Sequence, residues 1–246
     1  PMQEAVNHRF YGLVMPSEYN TDTEDAIMMA KLLKLEEKTS DNLLRADNAF
    51  AVIKIDSAKD SLTGIFPGIL DQKIPNENMQ SRLRMILLYA LKEASPGLRV
   101  AGTGNRDEDY GLGYFTKYGD GGVDFLPIAE LPKRLVKELA QFNGVPVNIV
   151  HKVPTAGLSR GQTDKADLGC SYFQAEVIVA GAEQVGRDQI VAICHEAAND
   201  MRIDGAFRVD LADITQEMVN RVLHRHEHLA PHKLNMPPII KVKLQY

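Results

Sequence analysis

Compact apolar runs alternate with amphipathic stretches along the first half of this chain. Residues 8–15 (His-Arg-Phe-Tyr-Gly-Leu-Val-Met) form a run that stops at Pro16-Ser17, the pattern of a buried strand. Ala26, Ile27, Ala30, Leu33 and Leu35 supply the apolar positions of a helix. Thr21 or Thr23 is placed to cap it, and Glu24 and Asp25 suit its positive end. Phe50-Ala51-Val52-Ile53-Lys54-Ile55 reads as a second strand, with Asp56 at its exit. Strand, helix, strand at this spacing predicts a βαβ unit and hence a parallel sheet. A short helix and a loop are expected over 57–74. A helix then runs from Asn76 or Asn78 to Ala94, its core stripe made of Leu83, Ile86, Leu87, Ala90 and Leu91. Pro96-Gly97 ends it, and a strand is expected over 98–101.

The second half opens with a glycine-rich polar block running to Pro127. A helix over 133–142 follows, stopped by Asn143-Gly144. Residues 146–150 read as a short extended piece and 163–169 as loop. From 174 to 222 the periodicity is helical. At the end Ile240, Val242, Leu244 and Tyr246 alternate with Lys241, Lys243 and Gln245, the signature of a half-buried strand.

Composition narrows this picture without redirecting it. A chain of 246 residues with 44% apolar content fits one sizeable α/β domain. The division expected is a core over 1–172 and a helical region with its tail over 173–246. The net charge of −5 supplies no bulk attraction for nucleic acid. No apolar run approaches a membrane span, so neither nucleic acid nor membrane is an expected partner. Cys170 and Cys194 lack metal-ligand spacing and read as free thiols in a reducing, cytoplasmic compartment.

The candidate chemistry is concentrated between Gly102 and Tyr172. Gly102-Thr103-Gly104-Asn105 follows an expected strand, where ligands of parallel sheets bind; it is either a place for phosphate to approach the backbone or a plain turn. Glu108 and Asp120 flank Tyr114-Phe115 and are either solvated carboxylates or hard ligands for Mg²⁺. Lys117, Lys133 and Thr155 recur in the same loop system, as a metal–phosphate site requires. Arg82 and Arg84 lie too close in sequence to share a helix face, so at least one is a surface arginine. His224, His226, His228 and His232 lack a completing ligand set and read as a solvated helix end.

Several stretches together resemble the NAD synthetase family. They are Asn78-Met79-Gln80-Ser81-Arg82-Leu83-Arg84-Met85, Gly102-Thr103-Gly104-Asn105-Arg106-Asp107-Glu108, the block 113–124, the block 152–164 and His232-Lys233. The resemblance covers nearly all of the chain in the family's order. It implies a Rossmann-like parallel sheet flanked by helices, of the adenine nucleotide alpha hydrolase type, and a homodimer. It implies ATP-dependent amidation of deamido-NAD with ammonia, through an adenylated carboxyl, with Mg²⁺. By resemblance Glu108 and Asp120 are metal and ammonia-site carboxylates, and Thr103, Lys133, Thr155 and Lys233 meet ATP. Arg82, Lys117, Asp124 and His232 meet deamido-NAD, and Asp120 and Lys133 carry the chemistry.

The family's opening strand ends in Ser-Gly-Gly-x-Asp-Ser, a loop that grips pyrophosphate, and this sequence has no such motif. Relative to the family it reads as N-terminally shortened by a strand, that loop and a helix. The expectation for these residues is therefore family-like binding with feeble or no synthesis. A shortened homologue that binds nucleotide without synthesis is the alternative reading. A weaker one is a related ATP-pyrophosphatase that amidates a different acid. Lys165 and Leu234 stand where the family usually has Glu and Arg.

Overall fold

The computed structural model describes residues 9–235. The tail pattern at 239–246 lies outside them. Strand β1 (Phe10–Val14) pairs in parallel with β3 (Asn48–Val52), and β3 pairs in parallel with the short β2 (Glu36–Glu37), giving the order β1-β3-β2. Helix α1 (Thr23–Leu32) makes the crossover from β1. The predicted βαβ unit and its parallel sheet are therefore present. Thr21 and Thr23 do not cap α1; Asp22 occupies that position without a side-chain bond.

β3 is central, and a strand covered on both faces must be apolar on both. Ala49, Phe50 and Ala51 are fully buried. Phe50 packs with Ala30 and Leu35 on one face, and Ala49 and Ala51 pack with Leu43 on the other. The expected strand over 98–101 is reduced to a parallel bridge between Ala101 and Phe125. Gly102 N–H donates to the Phe125 carbonyl at 2.8 Å, and Asp124 N–H to that of Val100 at 2.9 Å.

Helix α2 spans Asp56–Ile65 and α3 spans Lys73–Ala94. The expected stripe of α3 is only partly right. Ile86 is exposed, and the helix buries Met79, Gln80 and Ser81 instead. Ser81 bonds Asp120 of the glycine-rich block and Gln80 donates to the Leu158 carbonyl at 3.0 Å, so the helix buries polar contacts as well as apolar ones.

Helix α4 (Lys133–Phe142) has the predicted bounds. Two segments read as irregular are single helical turns, α5 (Val147–Val150) and α6 (Asp164–Leu168). Thr163 caps α6 through a bond from Ala166 N–H, and Gly169 closes it at φ 73°, a left-handed value that favours glycine. The helical second half consists of α7 (Tyr172–Gln184), α8 (Ile190–Ala197), α9 (Gly205–Ala212), α10 (Gln216–His224) and α11 (Ala230–Leu234). Ser171 and Gln174 form a capping box at the start of α7.

The helices enclose the largest apolar cluster: Leu168, Cys170, Ile178, Ile190, Cys194, Ile214, Val219 and Leu223 among others. Leu112, from the glycine-rich block, is fully buried in that cluster. It joins the functional block to the helical core. Leu112→Ala should cost about 2–5 kcal/mol, the range for deleting a buried leucine side chain. Urea denaturation of the variant checks this, and a loss under about 1 kcal/mol would show the contact to be dispensable.

Candidate active site

A cavity of about 850 Å³ opens where the sheet, α3 and the glycine-rich block meet. That volume suits a nucleotide-sized ligand. Leu13 and Val14 of β1 form one wall, Ala101, Gly102 and Thr103 another, and Ser81, Arg84 and Met85 of α3 a third. Lys73, Arg84, Arg225 and Lys233 bring positive charge to it, and Asp22, Glu77, Asp120 and Asp167 bring negative.

The block is shaped from within. Asn105 caps a turn over Arg106–Gly111, its Oδ1 accepting from Asp107 N–H at 3.1 Å and Glu108 N–H at 3.2 Å. That points the turn's carboxylates in several directions. Asp107 Oδ2 accepts from the backbone N–H of Lys133 at 2.7 Å and so fixes the start of α4. Glu108 takes the Lys133 ammonium, which also lies 5.2 Å from the Tyr172 ring centre. Asp109 turns back onto Gly104, where a Cβ would fall 1.9 Å from its carboxylate. Gly104 therefore serves internal packing. At Gly102 a Cβ would meet Leu126 at 2.5 Å, so the same holds there.

Of the residues expected to act, Thr103, Asp120 and Lys233 line the cavity. Asp120 is held by α3: its Oδ1 accepts from Ser81 Oγ at 2.7 Å and Thr116 N–H at 2.9 Å. Lys233 donates to the carbonyls of Gly113 at 2.7 Å and Phe115 at 2.5 Å. Burial, and then the charge of Arg225, lowers its pKa. Lys117 reaches the other way, donating to the carbonyls of His232 at 2.9 Å and Asn235 at 3.1 Å, while the His232 residue itself is exposed.

Thr155 Oγ1 donates to the Gln162 carbonyl at 2.7 Å and accepts from Gly157 N–H at 3.0 Å, so it shapes its own loop. Asp124 Oδ2 accepts from Val100 N–H at 2.8 Å, and that bond leads the causes holding its carboxyl low. Arg82 is exposed and only 3.4 Å from the Lys117 carbonyl. Arg84 is the arginine of the cavity wall, donating to the Met15 carbonyl at 3.0 Å and Asn20 Oδ1 at 3.1 Å. Sequence spacing identified two arginines on different faces; it did not say which face met the cavity. Asn20, Asp167 and Arg225 also line the cavity, and no local sequence pattern marks them.

Among the described residues no group of three or more His, Cys, Asp or Glu side chains converges as a metal site. The His224–His228 pair is a ring contact with centres 5.0 Å apart. Single carboxylates such as Glu108 and Asp120 fit Mg²⁺ that arrives on phosphates, which needs only one or two protein carboxylates.

Burial, then the charges of Glu108 and Asp120, pushes the Asp109 carboxyl up to about 7. The unfolded chain holds such a carboxyl at roughly 3.9. Between those values the native state binds more protons, so stability falls as pH rises through that window. Asp109→Asn should remove the fall, stabilising by on the order of a few kcal/mol at pH 8 and little at pH 4. Melting curves at the two pH values decide it; an equal change at both would exclude the buried charge as cause.

A family model described as NAD synthase matches residues 2–203. The chain is 35% identical over 240 residues to the NH(3)-dependent NAD(+) synthetase of Archaeoglobus fulgidus, covering 96% of this chain and 79% of that protein. It is 40% identical over 164 residues to the Pyrococcus furiosus protein of the same name, covering 67% of this chain and 58% of that one. A solved structure, NMN synthetase from Francisella tularensis, superposes with a TM-score of 0.71 at 27% identity, over 95% of this chain and 79% of that one. The fold is thus the Rossmann-like parallel sheet flanked by helices, and the chain belongs to the NAD synthase family.

Proposed function

We propose that this protein forms NAD from deamido-NAD, ATP and free ammonia. The observation that carries the reading is the family match over 2–203 together with Thr103, Asp120 and Lys233 lining one cavity. The names of the relatives support ammonia as nitrogen donor. They give no support to an impaired homologue.

In this reading the nicotinate carboxylate oxygen bonds to the α-phosphorus of ATP, and pyrophosphate leaves. Ammonia then bonds to the adenylated carboxyl carbon, and AMP leaves with its oxygen. Mg²⁺ held through Glu108 and Asp120 would offset charge on the phosphates. Lys233 does the same from the protein side, Lys133 holds Glu108 until the cation arrives, and Thr103 and Thr155 orient the nucleotide. Asp120, with both its protein bonds on Oδ1, accepts N–H from the nitrogen donor and takes its proton. Lys117, Asp124, Arg82 and His232 meet deamido-NAD. The free, buried thiols Cys170 and Cys194 support a cytoplasmic enzyme. Exposed Leu139, Phe142 and Val147 offer an apolar surface to a second copy.

A second reading follows from the Francisella structure: the acid substrate is nicotinate mononucleotide, amidated by the same steps. Purified protein supplied with MgATP, ammonium and either acid tests both. NAD and pyrophosphate are expected from deamido-NAD; amide from the mononucleotide alone selects the second reading, and none from either overturns both. Asp120→Asn should lower kcat/KM about a hundred- to ten-thousandfold with unchanged melting. Chelation of divalent metal should stop turnover and its restoration should return it.

A further inference from the structure

The Lys133 ammonium pairs with the Glu108 carboxylate. A divalent cation arriving at Glu108 repels that ammonium, which must move to another negative group. One lies beside it. Asp164 is 5% exposed, its Oδ2 accepts from Tyr172 Oη at 2.8 Å, and its Oδ1 is buried with no hydrogen-bond partner. The Lys133 ammonium already sits over the Tyr172 ring whose hydroxyl holds Asp164. The root of Lys133 is fixed by Asp107, so only its flexible stem needs to swing. Asp164 N–H donates to the Pro154 carbonyl at 3.0 Å, which seats it against the Thr155 loop.

We propose that Asp164 is a positioning residue: with Tyr172 it receives the Lys133 ammonium when Glu108 passes to a divalent cation. An orphaned buried carboxylate oxygen is costly, and a second station for Lys133 gives it a partner in the loaded state. The buried, unpartnered oxygen beside the Lys133–Glu108 pair is what points to it. This deepens the metal-and-ATP reading above and rests on it.

Titration with Mn²⁺ alone, followed by the paramagnetic resonance of the free ion, tests the proposal on the intact protein. Wild type, Lys133→Met, Asp164→Asn and the double variant form a cycle, each first checked for melting. Asp164→Asn should weaken Mn²⁺ about tenfold, as removal of groups behind a metal ligand does. Lys133→Met should tighten it, and in that background Asp164→Asn should have little effect. Tyr172→Phe, the milder variant should Asp164→Asn fail to fold, should weaken Mn²⁺ in the same Lys133-dependent way. Equal weakening in both backgrounds would make Asp164 a ligand or a structural support and overturn the proposal. So would no weakening in either, or no Mn²⁺ binding by wild type. An intact cycle in a protein that makes neither amide overturns the proposed reaction while this inference stands.

Discussion

Two lysines exchanged between the same two chain segments hold the site together. Lys233, from α11, donates to carbonyls of the glycine-rich block, and Lys117, from that block, donates to carbonyls at the end of α11. Each ammonium satisfies backbone oxygens that a tight loop and a helix end would otherwise leave unpaired. The ties span 115 to 120 residues of sequence. Gly113 is pressed so closely under α11 that a Cβ there would lie 2.8 Å from Ala230 Cα, at φ 57°. With Leu112 buried one residue away, the block is clamped between helical core and cavity.

That clamping explains why carboxylates crowd the block at tolerable cost. Asp107 is used as a helix cap, Glu108 is neutralised by Lys133, and Asp120 is held by a hydroxyl and a backbone amide. Asp109 is the expensive member, and its buried position keeps it protonated up to near neutral pH. Like charges that cannot separate divide their protons unequally. The site thus stores electrostatic tension at Asp109.

Much of this was legible in the residues. The βαβ unit followed from apolar runs alone, and α4 from its amphipathic spacing and the Asn143-Gly144 stop. The short turns α5 and α6 were not, because a single turn has no periodicity to read; the Thr163 cap and Gly169 stop were local signals for α6 alone. Family resemblance picked out Asp120 and Lys233 for the cavity. It also picked out Arg82 and Asp124, which are not among the cavity's lining residues: the guanidinium is exposed and the carboxylate braces Val100. Arg84 entered through tertiary placement: its bonds to Met15 and Asn20 lie 69 and 64 residues away, beyond any local pattern.

The placement of the two thiols has a practical consequence. Cys170 and Cys194 both sit in the helical cluster, and the sequence has only these two. Burial pushes the Cys170 thiol up to about 11 and raises that of Cys194 as well, so neither reacts while the cluster is closed. Their alkylation therefore counts openings of the helical half alone and is blind to fraying of β1, β2 and β3. Nature has left this enzyme with a built-in gauge of one half's breathing, readable without adding a label.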